Sequence, residues 1–135
     1  MLRSSRLGLA GLLAFSAAAS AQSPRAALNQ LSPGNWMLHE IGSRGPDRAL
    51  CVQDAGALLQ IHHPGLSCAR FVVADEPRAV TVHYTCPGAG HGRTTLTVEA
   101  PSRVRIATQG LAHGAPFDVE YAAQRDGTCA ASDRN

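Results

Sequence analysis

The chain has 135 residues, which is enough for one domain and excludes a two-domain enzyme. Its 13 Gly and 8 Pro stand against one Trp, two Tyr and three Phe, which indicates a turn-rich chain with a small aromatic core, while 44% apolar residues exclude a disordered chain. The formal net charge is only +2, and Arg alternates with acidic residues along the chain, which excludes the basic surface that nucleic-acid binding requires.

The first 21 residues have the pattern of a secretory signal peptide. Arg3 and Arg6 precede an apolar run at residues 7–19, and Ala19-Ser20-Ala21 supplies a cleavage site before Gln22. A membrane anchor is the alternative, but a helix of this length reaches roughly 20 Å and the hydrocarbon core is roughly 30 Å thick. We therefore expect a periplasmic or secreted bacterial protein with no transmembrane segment after cleavage.

After the signal, turn residues divide the chain into short apolar or alternating runs that predict strands. The strands are expected at about 35–41, 48–52, 69–75, 79–86, 93–99, 103–109 and 116–123. One short helix is expected at 54–61, between strands two and three, with Asp54 as its N-cap. The prediction is a mainly β fold, a curled antiparallel sheet or half-barrel of about seven strands, and the sequence does not decide whether the sheet closes.

The domain boundaries follow from the same pattern. We expect a flexible N-terminal segment at 22–32, a single β-rich domain at 33–129 and a flexible tail at 130–135.

Alternation in the second half predicts strand register as well as strand position. A loop centred on Pro101 would set Val98 opposite Val104 and Glu99 opposite Arg103. The following hairpin would set Arg103 against Glu120 and Arg105 against Asp118, which pairs opposite charges on the outward face.

Four cysteines remain in the mature chain, an even number in a small exported domain, which predicts two disulfides. A tetrathiolate zinc site is the alternative, but such sites use close C-x2-C pairs that this chain lacks. Four cysteines allow three pairings, so the strand model must choose. A hairpin centred on Pro77 sets Cys68 opposite Cys86, and contact between the first and last strands sets Cys51 beside Cys129.

The chain resembles the exported bacterial domain-of-unknown-function family 3617. The resemblance covers about residues 31–129 and consists of Pro33-Gly34-Asn35-Trp36, the four cysteines and a closing Gly127-Thr128-Cys129. It departs from the family where Asn35 replaces an apolar residue and where a short Gly45-Pro46-Asp47 replaces a Met-rich loop. The resemblance implies an exported β-rich fold with paired cysteines and no established activity.

Two sets of residues are candidate sites. An apolar interior could hold a hydrophobic small molecule or a lipid fragment of the cell envelope. Its predicted lining is Trp36, Leu38, Tyr84, Leu96, Val98, Val104, Ile106, Phe117, Val119 and Tyr121. The second set is a rim of imidazoles, the ligands that zinc and copper prefer, formed by His62, His63, His91 and His113. Solvated loop histidines need no metal to explain them, so we predict no metal site.

No combination of nucleophile, base and supporting group has a recognisable context, so we expect no catalytic residues, no enzyme activity and no cofactor. Three functions are compatible with the sequence: a binding protein for a hydrophobic ligand, a structural or interaction protein of the bacterial envelope, and a periplasmic metal-handling protein. The second is favoured by the mature chain's zero net charge, since cleavage removes two Arg and no acid.

Overall fold

The computed structural model describes residues 26–131, so the predicted signal peptide at 1–21 and the last four residues of the predicted tail lie outside the described residues. Seven strands form one unclosed antiparallel sheet in the order β2-β1-β7-β6-β5-β4-β3. The strands are β1 (Gly34–Glu40), β2 (Arg48–Val52), β3 (Ala69–Glu76), β4 (Ala79–Cys86), β5 (Gly90–Ala100), β6 (Arg103–Ala112) and β7 (Ala115–Gly127). The mainly β, seven-stranded architecture predicted from the sequence is confirmed.

The predicted helix is a 3-10 helix at Ala55–Leu59, and a second 3-10 helix, at Leu28–Gln30, precedes β1. Asp54 caps the Ala55–Leu59 helix as predicted, because its Oδ1 accepts a hydrogen bond of 2.8 Å from the Gly56 N–H. The Leu28–Gln30 helix lies in the segment predicted to be flexible. Its neighbours Ala27 and Leu31 are buried in the hydrophobic core, so this part of the segment packs on the domain.

The sheet curves around the Ala55–Leu59 helix. This helix contacts both β2 and β5, which are four strands apart in the sheet and would be about 19 Å apart in a flat one. A short helix can reach both strands only if the sheet bends towards it. The inner face of the sheet therefore packs against the helix and the segment that follows, with Leu58, Leu59 and Ile61 at most 1% exposed.

Both disulfides join the cysteines that the strand model pairs. Cys68 bonds to Cys86 with a Cα–Cα distance of 4.4 Å, and Cys51 bonds to Cys129 with a Cα–Cα distance of 5.4 Å. The second bridge passes over the end of β1, because Asn35 pairs with Cys51 on one side and with Gly127 on the other.

The β3–β4 hairpin reaches its register in a way that the sequence model misses. Glu76 pairs with Ala79, so the turn contains only Pro77 and Arg78 and is not centred on Pro77. A bulge between Val72 and Ala74 then shifts β3 by one residue, and Ala69 pairs with Thr85. The next position along the two strands brings Cys68 opposite Cys86. The bulge at Val73 thus makes the first disulfide possible.

The predicted register of the last hairpin is wrong. The structure sets Arg103 against Gln124 and Arg105 against Ala122, and Asp118 lies opposite Gln109. The cause is a two-residue turn at His113 and Gly114, where both residues have positive φ (48° and 84°) as a type I′ turn requires. The strands therefore run further towards the turn than the sequence pattern suggests.

The β5–β6 hairpin agrees with prediction in part. Val98 lies opposite Val104 as expected, but Arg103 pairs with Ala100 and a register shift leaves Glu99 unpaired in the ladder. The charges still meet, since Arg103 lies 3.3 Å from Glu99 and Arg105 lies 3.0 Å from Glu120. Both pairs are exposed to solvent, which screens their charges, so they add little to stability.

Deletions in β3 test how strand register controls the disulfide. Deleting Val73 removes the extra residue of the bulge, so Val72 directly precedes Ala74 in a regular ladder and Cys68 stays opposite Cys86. Deleting Val72 and Val73 together instead moves Cys68 one position out of line with Cys86, towards the other face of the sheet. We expect thiol titration of the denatured double-deletion variant to find two free thiols per chain, where the Val73 deletion should have none and the wild type has none within residues 26–131. The Val73→Ala variant keeps the residue count and should keep both bridges. A double-deletion variant without free thiols would show that the register of β3 does not control the pairing.

Candidate functional site

The residues predicted to line an apolar interior form the core of the domain. Trp36, Leu96 and Ile106 have no exposed surface, and Leu38, Tyr84 and Val104 are 1% exposed. Val98 and Tyr121 are also buried, while Phe117 and Val119 are partly buried at the margin. The structure brings all of them to one face of the sheet, where the Ala55–Leu59 helix packs against them.

A fully buried histidine closes one end of this core. His63 has no exposed surface, and its Nε2 lies 3.1 Å from the carbonyl oxygen of Ala89. A carbonyl only accepts, so Nε2 carries the proton, and Nδ1 accepts from the Tyr84 hydroxyl at 3.1 Å. Both ring nitrogens are therefore used within the protein.

Two glycines make room for this pair. A Cβ on Gly90 would lie 3.0 Å from His63 Nε2 and would overlap the backbone of Leu111, and a Cβ on Gly92 would lie 2.5 Å from the Tyr84 ring. The inward positions at the start of β5 are therefore glycine because side chains from elsewhere occupy that space. Burial is the main cause that raises the pKa of Tyr84, and a hydrogen bond with Thr108 acts in the opposite direction.

His62 lies at the margin of the same end. Its ring stacks on Phe117 with a centroid distance of 4.1 Å, and its Nε2 lies 3.3 Å from the Tyr121 hydroxyl. Burial is the largest cause that lowers the pKa of His62, and the positive charge of Arg48 adds to it. Burial likewise raises the pKa of Tyr121.

The structure brings together only part of the predicted imidazole rim. The ring centroids of His63 and His113 are 6.3 Å apart, and His62 is adjacent in sequence. His91 lies on the opposite face of the sheet, because it alternates with the inward-facing Gly90 and Gly92. No group of three or more His, Cys, Asp or Glu within residues 26–131 has a geometry that could hold a metal ion.

An open cavity lies on the outer face of the sheet, the face opposite the core. We call it the outer groove. It has a volume of about 490 Å³, which is within the usual range for small-molecule sites. Its lining is His83, His91, Gly92, Arg93, Gln109, Gly110, Leu111, Phe117 and Asp118.

A single row of directly paired residues crosses this groove. His83 pairs with Arg93, Arg93 pairs with Gln109, and Gln109 pairs with Asp118, across strands β4 to β7. Because each is an outward-facing position, these polar side chains stand side by side. One position away along the strands, Gly92 pairs with Gly110, so the sheet carries no side chain at that pair.

Hydrogen bonding orients the basic end of the row. Arg93 Nη1 lies 3.1 Å from His83 Nε2, and since a guanidinium only donates, His83 accepts at Nε2. A smaller hollow of about 150 Å³ adjoins the groove and shares Arg93, Gln109 and Asp118 with it. Together the two hollows offer donors and an acceptor above a surface of small residues.

Sequence reasoning misses the outer groove because of the β6–β7 register. The predicted hairpin places Arg105 opposite Asp118, which pairs the charges and leaves Gln109, the last residue of the predicted strand at 103–109, with no partner in the next strand. The signal that could have revealed the correct register is His113-Gly114, since a two-residue hairpin turn favours Gly and tolerates few other residues at positive φ.

A third hollow, of about 430 Å³, lies beside the Cys51–Cys129 bridge. Its lining is Pro33, Gly34, Val52, Gln53, Thr128 and Cys129. This set contains no charged side chain and so offers little to fix the orientation of a ligand.

The chain matches no model of a known protein family. Searches of curated proteins and of solved structures also found no match. The resemblance to family 3617 therefore stays a prediction. Within residues 26–131, no helix is long and apolar enough to cross a bilayer.

The lowered pKa of His62 gives the domain a pH dependence with a definite sign. Below the ordinary value of 6.5 the unfolded chain binds a proton that the folded chain resists, so we expect the free energy of unfolding to decrease as the pH falls through this value. The His62→Phe variant keeps a ring that can stack on Phe117 and removes the titrating group. Between about pH 7 and pH 5, the free energy of unfolding of this variant should decrease less than that of the wild type. Urea unfolding followed by Trp36 fluorescence measures both. Equal decreases would contradict the assignment.

Proposed function

We propose that the chain is an exported, non-catalytic binding protein whose ligand occupies the outer groove. Two disulfides are compatible with an oxidising compartment outside the cytoplasm, as the predicted signal peptide also indicates. The single observation that carries the proposal is the groove itself, a hollow of about 490 Å³ lined by convergent polar side chains.

The packing of the inner face favours this surface over the apolar interior. The largest inward side chains, Trp36 and Tyr84, are at most 1% exposed and belong to one buried cluster with Leu58, Leu59 and Ile61. A ligand in the interior would have to displace this packing, and removing core side chains from contact typically costs about 2 to 5 kcal/mol each. The outer groove is open without any rearrangement.

A second candidate is interaction with a protein or other envelope component through the edge strand β3. Phe71 is 70% exposed and Val73 is 42% exposed on this strand, and β3 has no neighbour on its other side within the described sheet. Exposed apolar residues on an unpaired edge are typical of binding surfaces. The bulge at Val73 and the charges at Asp75 and Glu76 act against this, because both features discourage strand addition.

An NMR titration distinguishes the two surfaces. The ¹⁵N-labelled mature protein is titrated with the low-molecular-weight fraction of an extract of the source bacterium. We expect amide shifts centred on Arg93, Gln109 and Leu111. A Gln109→Trp variant, which fills the groove, should lose them, with apparent affinity weakened by about tenfold or more.

The matched control is Phe71→Ser, which removes the exposed aromatic residue of β3 and leaves Gln109 in place. It should bind as the wild type does. Shifts confined to β3 and lost in Phe71→Ser would support the second candidate. An extract that shifts no groove amide would contradict the proposal, provided that the spectrum shows the folded domain.

A further inference from the structure

We infer that the outer groove binds a small zwitterion with an apolar side chain, namely a free amino acid or a dipeptide, whose carboxylate meets Arg93 and whose ammonium group meets Asp118. This inference rests on the proposed function and names the ligand class. It follows from the positions of two opposite charges, Arg93 and Asp118, on the two sides of one hollow.

Arg93 and Asp118 lie on β5 and β7, with Gln109 of β6 between them in the same row. Two strand spacings place their backbones about 10 Å apart. Both side chains line the same two hollows, yet they form no ion pair with each other or with any other charged side chain within residues 26–131. The space between the two charges is therefore open to a ligand.

This arrangement selects against ligands with one charge. A simple anion attracted to Arg93 would lie near the Asp118 carboxylate, and a simple cation attracted to Asp118 would lie near the Arg93 guanidinium. A ligand with a carboxylate at one end and an ammonium group at the other satisfies both. Gln109 lies between them and can both donate and accept, so it can bond to either group.

Orientation of the guanidinium favours a carboxylate as its partner. The hydrogen bond from Arg93 Nη1 to His83 Nε2 uses one of five N–H donors and holds the side chain along the row. The remaining donors suit bidentate contact with a planar carboxylate.

An apolar part of the ligand has a place beside the charges. Leu111 alternates with the inward-facing Gly110 and so presents its apolar side chain to the groove, beside the backbone of Gly92, Gly110 and Phe117. A side chain about the size of leucine can lie there while the two charged ends point along the row. The volume of about 490 Å³ also admits a dipeptide.

Four probes test the charges separately: L-leucine, glycyl-L-leucine, N-acetyl-L-leucine and L-leucinamide. Titrations followed by amide shifts of the mature protein should show binding of the first two. N-acetyl-L-leucine lacks the ammonium group and L-leucinamide lacks the carboxylate, so each should bind about tenfold more weakly than leucine.

Two variants assign each end. Arg93→Gln should weaken the binding of leucine and abolish the difference in affinity between leucine and leucinamide. The variant should still bind leucine more tightly than N-acetyl-L-leucine. Asp118→Asn should abolish the difference in affinity between leucine and N-acetyl-L-leucine and keep the difference between leucine and leucinamide. Arg103→Gln is the control, because Arg103 is an exposed arginine on β6 that lies outside the groove and faces Glu99. It should bind all four probes as the wild type does.

The inference is overturned if the four probes bind equally, if none shifts the groove amides, or if Arg93→Gln weakens leucine and leucinamide by the same factor. None of these results removes the proposed function, because the extract titration can still shift the groove amides. Absence of shifts in both experiments would reject the two together.

Discussion

The pairing of β1 with β7 holds the molecule together as one sheet. β3 to β7 form a meander in which each strand pairs with the next, and β1 and β2 form a separate hairpin. In the sheet, the ladder from Asn35 to Glu40 on β1 joins these two parts, and it brings together residues more than 80 positions apart. Contacts of this range carry a large loop-closure cost, which makes them the slowest and most vulnerable part of a β fold.

The Cys51–Cys129 bridge supports this same ladder. It closes a loop of 78 residues, for which the chain-entropy model gives a stabilisation of about 4.5 kcal/mol. The Cys68–Cys86 bridge spans only 18 residues and joins strands that already pair. The two bridges therefore have different tasks. One fastens the ends of the chain, and the other fixes the register of a bulged edge strand.

The inner face of the sheet is filled by packing, so the outer face is the one available to a ligand. The inner face receives the Ala55–Leu59 helix, the buried His63 and the large side chains Trp36 and Tyr84, with glycines at the points of closest approach. Residues so tightly packed serve stability. The outer face carries polar side chains in a direct row from His83 to Asp118, and these side chains line its hollow. The contrast between the faces is the reason for assigning the candidate site to the outer one.

Strand positions can be predicted from the sequence because they depend on local residue patterns. The bounds of β2 and β4 agree with prediction at both ends, since alternation and turn residues define them within a few positions. The predicted cysteine pairs are also confirmed, but Cys68 reaches Cys86 through a two-residue turn and the bulge at Val73, not through a turn centred on Pro77. By contrast, no side-chain pattern indicates the bulge at Val73, and only Gly114 indicates the turn in which His113 has a positive φ. Each shifts a strand against its neighbour, and only the folded sheet decides which of Arg105 or Gln109 stands opposite Asp118. The outer groove depends on this alignment. It is made of side chains from four strands, and tertiary contacts align those strands, not the residues that line the groove.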